Sequence, residues 1–190
     1  MFGNFRFKML NREAASGKNK PEEIIKSLGI KIGMIVADIG AGGGYFTFEF
    51  SKTVGENGRV YAVDTTQNAL AFISNKSKEE MINNIKAILA YENGFMLPET
   101  ADLFFLRNVF HHLSNSDEYL QNIKRFLKRD GKLAIIDHQK NGFSFIGLFD
   151  HFVPEEMIIE TVEKAGFRVL EKFDFLPNQA FILFEQTKSV

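Results

Sequence analysis

Short apolar runs alternate with longer stretches of helical periodicity along most of this chain, and this alternation limits its fold more than any other feature. The apolar runs have the length and composition of buried strands; they lie at residues 34–39, 59–64, 85–90, 101–110 and 132–138. Strands that alternate with helices indicate an α/β fold, in which a mostly parallel sheet carries helices on both faces.

The end of the chain predicts a different connection. Two strands, at 167–175 and 179–185, follow a predicted helix at 153–167 and are separated only by the turn LPNQ. So short a connection joins antiparallel neighbours. Ahead of the fifth strand, a helix is predicted over 116–131, because the segment opens with Ser and acidic residues and closes with basic residues and glycine.

Composition limits the function classes. The 190 residues suit one domain, predicted over 21–190, with a basic, polar arm at 1–20 that we expect to be a lid or a flexible tail. The formal net charge of −1 does not favour nucleic acid or an anionic membrane, and no run approaches a membrane span. The chain has no cysteine, which excludes disulfides and thiolate metal sites, and we expect a cytoplasmic protein.

The sequence DIGAGGGY connects the first predicted strand to a predicted helix. Glycines there remove side chains where a ligand must touch the backbone, and a helix N-terminus presents free N–H groups. Tyr45 stands where the dinucleotide fingerprint G-x-G-x-x-G requires its third glycine. Read as D-x-G-x-G-x-G, the stretch fits at Asp38, Gly40, Gly42 and Gly44. The turn therefore predicts a cofactor platform.

Asp64 is the second half of this signal, because it ends the second predicted strand, 22 residues after Gly42. A carboxylate at that position can bind both ribose hydroxyls of an adenosine. Ligands of open α/β sheets bind beyond the carboxyl ends of the strands. The two features together predict a site for an adenosyl cofactor.

The sequence resembles the class I S-adenosylmethionine-dependent methyltransferases, specifically their small-molecule branch, over roughly residues 20–186. The matching stretches are DIGAGGG, VYAVD, ADLFFLRNVFHHL, FLKRDGKLAIIDH and HFVPEEMIIETVEKAGF. The resemblance implies a Rossmann-like, seven-stranded sheet in the order 3-2-1-4-5-7-6 with strand 7 antiparallel. It also implies S-adenosyl-L-methionine as the cofactor, with Gly40 and Gly42 along its methionine portion, Asp64 on its ribose and Asp38 near its amino group.

Two further residues join the predicted cofactor set through the resemblance. The family often has an Asp after the third strand that faces the adenine amino group; this chain reads AYENGF there, and Glu92 is the nearest acid. Asn108 ends the fourth-strand motif, where enzymes that methylate amino groups of nucleobases or glutamine have NPP[YF]. This chain reads NVFH, which with the near-zero charge predicts a small-molecule acceptor rather than nucleic acid.

His111 and His112 are the candidates for a general base, because an imidazole accepts a proton near neutral pH. They follow the fourth strand, where consecutive side chains of extended backbone point oppositely, so at most one is expected to face the substrate. Asp137 and His138 end the fifth strand at the same edge and form either a second chemical pair or a loop start. The histidines lack metal-ligand spacing, and we expect no metal.

The connection at 143–152 leaves two alternatives open. It is either core packing or a subunit contact, as in a homodimer, or it is the wall of an apolar substrate pocket. We predict in-line methyl transfer to a small, apolar or aromatic acceptor; the alternatives are an NAD(P)-binding oxidoreductase and a catalytically silent S-adenosylmethionine-binding protein. The large apolar residues of this connection are Phe143, Phe145, Ile146, Leu148, Phe149 and Phe152.

Overall fold

The structure is a computed structural model that describes residues 2–139 and 153–187. The strands are β1 (Ile35–Ile39), β2 (Arg59–Asp64), β3 (Ile85–Leu89), β4 (Ala101–Arg107), β5 (Leu127–His138), β6 (Phe167–Phe173) and β7 (Gln179–Gln186). The helices are α1 (Phe2–Ala14), α2 (Pro21–Ser27), α3 (Tyr45–Val54), α4 (Gln67–Glu79), α5 (Ser116–Phe126) and α6 (Glu155–Lys164). Short 3-10 helices lie at Gly17–Asn19 and Phe110–His112.

All seven strands form one sheet in the order β3-β2-β1-β4-β5-β7-β6. The strands β1 to β5 are parallel wherever they pair, and β7 runs antiparallel to both β5 and β6. The predicted α/β fold, the strand order and the antiparallel seventh strand are therefore confirmed.

The core has a layer on each face of the sheet. Successive strand residues point to opposite faces, so Phe104 packs in the layer that α5 and α6 cover, and Phe105 packs in the layer under α2 and α3. Burial on both faces explains why the central strands are apolar throughout. No helix within 2–139 or 153–187 has the length and apolar character needed to cross a bilayer.

Two predicted boundaries are wrong. The fourth strand ends at Arg107 rather than at residue 110, because Asn108 has a φ of 55° and turns the chain out of the sheet. The helix predicted to reach residue 131 ends at Phe126, because Leu127 is buried and already pairs with Ala101 of β4. The basic residues and the glycine that suggested a helix end lie instead within β5.

Helix α1 occupies most of the arm that the sequence predicted as a lid or a flexible tail, and no helix was predicted there. It contacts α3 and α4, and the ring of its buried Phe7 lies 5.3 Å from the ring of Phe72 on α4. The helix thereby reaches the glycine turn between β1 and α3. Its function as a lid stays a prediction.

Candidate cofactor and acceptor site

The glycine turn leaves the end of β1 and enters α3 through backbone conformations that favour glycine. Gly40 has a φ of 69°, and a Cβ atom there would lie 2.3 Å from Val109 Cγ2. Gly42 has a φ of 55°, and the nearest atom to an added Cβ would be Leu10 Cδ1 at 3.7 Å. The backbone of the turn thus packs tightly against Val109 at Gly40, whereas at Gly42 there is space beside the backbone.

Gly44 and Gly43 face other parts of the protein. A Cβ at Gly44 would lie 2.8 Å from Ile73 Cγ1 on α4, so this glycine is required for packing. A Cβ at Gly43 would lie 2.3 Å from Asn11 Oδ1 on α1. The predicted cofactor contact of Gly44 stays a prediction.

Asp64 joins the end of β2 to the glycine turn. Its Oδ2 atom accepts a hydrogen bond from the Gly42 N–H at 2.9 Å, and its Oδ1 atom accepts one from the Thr66 N–H at 2.8 Å. Each carboxylate oxygen has a second lone pair. The carboxylate can therefore hold the turn and still accept hydrogen bonds from the hydroxyl groups of a ligand.

Asp38 is a buried acid directly below the turn. Thr47 Oγ1 donates a hydrogen bond to its Oδ2 atom at 2.5 Å. The pKa of Asp38 is raised to about 7, chiefly by burial and also by the charge of Asp64, against the lowering effects of Thr47 and Arg107. The carboxyl group therefore changes charge near neutral pH, where a bound cation would favour its ionised form.

A cavity of about 350 Å³ lies at the carboxyl ends of β1 and β4, where α/β sheets bind ligands. A wider groove of about 850 Å³ lies between α1 and α4 and contains none of the predicted site residues. The smaller cavity is lined by Leu10, Asn11, Glu13, Ala14, Asn19, Asp38, Gly40, Ala41, Gly42, Gly43, Tyr45, Phe46, Phe105, Arg107, Asn108, His138 and Gln179.

Asn108 lies at this cavity, as do Asp38, Gly40 and Gly42 from the predicted set. Its Oδ1 atom accepts a hydrogen bond from Gln179 Nε2 at 3.0 Å, which fixes the side chain to the start of β7. Gln179 was not among the predicted site residues, because a side-chain contact between residues 71 positions apart leaves no local pattern.

Arg107 and Asn11 were also missed. Arg107 closes β4 and lines the cavity, and a charged residue at the carboxyl end of an apolar strand was the signal that could have identified it. Asn11 Nδ2 donates to Gly43 O at 2.7 Å, while its Oδ1 atom accepts from the Tyr45 N–H at 3.1 Å. No signal was available for Asn11, since the helix that carries it was not predicted.

His111 and His112 lie in a 3-10 helix, with ring centroids 3.9 Å apart. The expectation that extended backbone would point them oppositely is therefore wrong. His111 Nδ1 lies 2.7 Å from Oδ1 of the fully buried Asp137, whose Oδ2 atom accepts from the His111 backbone N–H at 3.1 Å. Of the histidines in the described residues, His138 lines the cavity and these two do not.

The His111–Asp137 contact fixes the chemistry of the imidazole. A carboxylate only accepts hydrogen bonds, so Nδ1 of His111 carries the hydrogen and Nε2 has the lone pair in the neutral ring. Asp137 also accepts from the His138 backbone N–H at 2.8 Å, which completes its own hydrogen bonding. The arrangement can hold a histidine ready to accept a proton.

The remaining predictions concern the edges of the site. Glu92 is exposed in the turn that the Tyr91–Gly94 bridge closes after β3, and it does not line the cavity; its adenine contact stays a prediction. The apolar connection at 143–152 lies outside the described residues. The turn, open at Gly42, and the free lone pairs of Asp64 fit a ligand that carries ribose hydroxyls and an aminoacyl group.

Comparison with known proteins identifies the family. A family model described as a methyltransferase domain matches residues 30–173. (S)-coclaurine N-methyltransferase of Thalictrum flavum subsp. glaucum is 27% identical over 83% of this chain and 41% of its own length. Demethylmenaquinone methyltransferase of Lactococcus lactis is 31% identical over 60% of this chain and 45% of its own length. The chain therefore spans less than half the length of these curated relatives.

A solved structure agrees over nearly the whole chain. A SAM-dependent methyltransferase from Aquifex aeolicus is 29% identical, with a TM-score of 0.85 over 97% of this chain and 98% of its own. The glycine turn and Asp64 at the end of β2 belong to the stretches DIGAGGG and VYAVD, which carry the resemblance to this family. The chain belongs to the class I S-adenosylmethionine-dependent methyltransferases.

Proposed function

We propose that this protein transfers the methyl group of S-adenosylmethionine to a small acceptor. The observation that carries the proposal is the hydrogen bond from the Gly42 N–H to Asp64, which joins the end of β2 to the turn that lines the cavity. Membership of the methyltransferase family favours this function over the NAD(P)-binding oxidoreductase.

The chain's own residues divide the work of holding the cofactor. The backbone at Gly40 and Gly42 would hold the aminoacyl portion, the carboxylate of Asp64 would accept hydrogen bonds from the ribose, and Asp38 would interact with the ammonium group. The bound cofactor supplies a methyl carbon made electrophilic by its sulfonium. The protein then has to hold the acceptor in line and exclude water, which contributes several kcal/mol by order of magnitude.

The acceptor is a small, largely apolar or aromatic molecule. The formal charge near zero, NVFH in place of NPP[YF], and the apolar composition of 143–152 support this class. Two relatives are named for coclaurine and demethylmenaquinone, which are small molecules. The chain covers less than half of each relative, so their own acceptors are not carried over.

His111 is the base for an acceptor that loses a proton, such as a hydroxyl or a protonated amine. Asp137 positions the ring by accepting from Nδ1, so Nε2 takes the proton. The two contacts of His111 with Asp137, one from the ring and one from the backbone N–H, are the observations that support His111 as the base.

Titration calorimetry tests the cofactor proposal. S-adenosylhomocysteine should bind with a micromolar dissociation constant, and Asp64→Ala should weaken binding by about 1.5–3 kcal/mol, the range for hydrogen bonds to a charged group. Asp130→Ala, at an exposed position of β5, is the matched control and should bind as wild type does. If NADH gives a heat of binding and millimolar S-adenosylhomocysteine gives none, the proposal is contradicted.

A turnover assay separates the enzyme from a silent binding protein. Formation of S-adenosylhomocysteine from S-adenosylmethionine should require an added acceptor and should stop in the Asp64→Ala variant at low cofactor. Tight binding without turnover on a broad panel of hydroxylated, amino and thiol aromatics would favour the silent alternative.

A further inference from the structure

Arg107 presents an unused hydrogen-bond donor at the cavity. Its Nε atom is buried and has no hydrogen-bond partner, and in residues 2–139 and 153–187 it is the one buried side-chain nitrogen or oxygen in that condition. The guanidinium carbon lies 5.2 Å from the centroid of the Phe46 ring, so the head group rests on α3. Buried polar groups are nearly always paired, so an orphan at a cavity indicates a missing partner.

The surroundings leave the charge of this arginine incompletely balanced. Burial lowers the pKa of Arg107, while Glu13, Asp38 and Tyr45 act in the opposite direction through their charges. Among the described residues, no hydrogen bond or ion pair joins Arg107 to Glu13 or to Asp38. Asp38 is itself partly protonated near neutral pH. The cavity thus contains a largely desolvated cation whose acidic neighbours Glu13 and Asp38 act on it through their charges without pairing directly with it.

We propose that Arg107 binds a carboxylate group in this cavity. A guanidinium has a planar array of N–H donors that matches the two oxygens of a carboxylate, and such bidentate pairs are strong where water is excluded. The inference rests on the proposed function, which offers two sources of the group: the aminoacyl carboxylate of the cofactor and an acidic substituent of the acceptor. Either source satisfies the buried donor.

A purely structural role for Arg107 predicts a different result in the unliganded protein. If the cation only packs on Phe46, then Arg107→Met removes a favourable contact and lowers the melting temperature. If the side chain is kept for a ligand, the same variant removes an unsatisfied donor and fills the space with an apolar chain, so the melting temperature holds or rises. Arg129→Met, at an exposed position of β5, is the matched control.

The first binding experiment compares two ligands that differ only in the carboxylate. S-adenosylhomocysteine and its decarboxylated analogue are titrated into wild type, Arg107→Met and Arg129→Met. If the cofactor supplies the carboxylate, Arg107→Met raises the dissociation constant of S-adenosylhomocysteine by about tenfold to a hundredfold, the effect of losing a charge-assisted hydrogen bond. The dissociation constant of the decarboxylated analogue does not change. The Arg129 variant binds both ligands as wild type does.

The second experiment tests the acceptor as the source, with benzoate and neutral benzamide as probes, in the presence and absence of S-adenosylhomocysteine. If the acceptor supplies the carboxylate, wild type binds benzoate in preference to benzamide and Arg107→Met loses that preference. The inference is overturned if the variant shows no carboxylate-selective loss in either experiment. Failure of wild type to bind either adenosyl ligand would contradict the proposed function instead, and the benzoate experiment without cofactor would still decide the role of Arg107.

Discussion

The carboxyl group of Asp38 makes the stability of the protein depend on pH in an unusual direction. Its folded-state pKa of about 7 lies above the ordinary value of 3.8, so the folded protein keeps a proton that the unfolded chain releases. Stability should therefore fall as the pH rises from about 4 to about 7 and should then level off, because above that range both states are ionised. Most carboxyl groups that gain a partner on folding have a lowered pKa, so their contribution to stability is lost as the pH falls.

Replacement of this acid tests that direction. Asp38→Asn removes the titration and should flatten the decline, so that the variant gains on wild type by about 2–3 kcal/mol between pH 5 and pH 8. Urea unfolding at pH 5 and pH 8 measures the difference, and Asp130→Asn, exposed on β5, serves as the control. Equal pH slopes for wild type and Asp38→Asn would show that another group governs the dependence.

The two neighbouring histidines give a matched pair of variants. For an acceptor that loses a proton, His111→Gln should lower kcat by about a hundredfold or more, the usual contribution of a general base, and should leave the affinity for S-adenosylhomocysteine unchanged. Asp137→Asn should also lower kcat, because the His111 ring loses the carboxylate that fixes its orientation. His112→Gln should keep most activity; a larger loss there than at residue 111 would transfer the proposed role to His112.

At the scale of single residues, the sequence predicted those parts of the site that belong to a local motif. Asp38, Gly40 and Gly42 belong to one motif, and the structure places them around one cavity. Arg107 was passed over because its importance depends on burial and on an absent partner, and neither is visible in a string of residues. Gln179 depends on pairing between distant strands. The ligand contacts of all these residues stay predictions.

Among the elements, α1 holds the glycine turn from outside the sheet. A Cβ at Gly43 would meet both Asn11 Oδ1 at 2.3 Å and Phe7 O at 2.5 Å, so the helix lies directly on the backbone of the turn. Asn11 also hydrogen-bonds to the turn and to the first residue of α3. We infer that the helix keeps the turn in the conformation that a cofactor requires.

Removal of that contact should weaken cofactor binding without unfolding the domain. Asn11→Ala loses two hydrogen bonds and should raise the free energy of S-adenosylhomocysteine binding by about 1–2 kcal/mol. Asn75→Ala, exposed on α4, is the control. Calorimetry measures the affinity, and thermal melting the stability, of both variants and of a protein lacking residues 1–16. If the truncated protein folds and binds S-adenosylhomocysteine as tightly as wild type does, α1 is not needed for cofactor binding.

The element boundaries show where sequence patterns lose information. The N-terminal arm was not recognised as a helix because α1 has no acidic residue in its first turn and mixes phenylalanine with basic residues. The end of α5 was misplaced because Leu127 pairs with β4, a tertiary contact that overrides the local helix signal. Strands within apolar runs were predictable since both of their faces are buried.

For the whole molecule, topology decides where the site lies. β1 lies beside β4; the connection after β1 leads to β2 on one side, and the connection after β4 leads to β5 on the other, so a crevice opens between the two carboxyl ends. The cavity occupies this place. Alternating strands and helices predicted a parallel sheet, but strand order is a non-local property, and it came from the resemblance to a family rather than from periodicity.

Charge distribution over the whole molecule argues that nucleic acid is not the substrate. The formal net charge is −1, and two exposed basic residues of α1, Lys8 and Arg12, line a groove that also contains Glu79 at the end of α4 and Glu80 directly after it. Phosphate binding needs clustered cations, and each neutralised phosphate adds to the salt dependence of the affinity. A groove of mixed sign does not provide such a cluster.

We therefore expect no specific binding when fluorescently labelled RNA hairpins or DNA duplexes are titrated with the full chain at low salt, while S-adenosylhomocysteine binds under the same conditions. Lys8→Glu with Arg12→Glu should leave this result unchanged, because the groove is not a phosphate site. Micromolar binding that weakens steeply with salt and disappears in the double variant would identify α1 as a nucleic-acid contact. A nucleic acid bound at α1 would lie beside the glycine turn, because the helix contacts that turn. That result would make nucleotides the class of acceptor to test next.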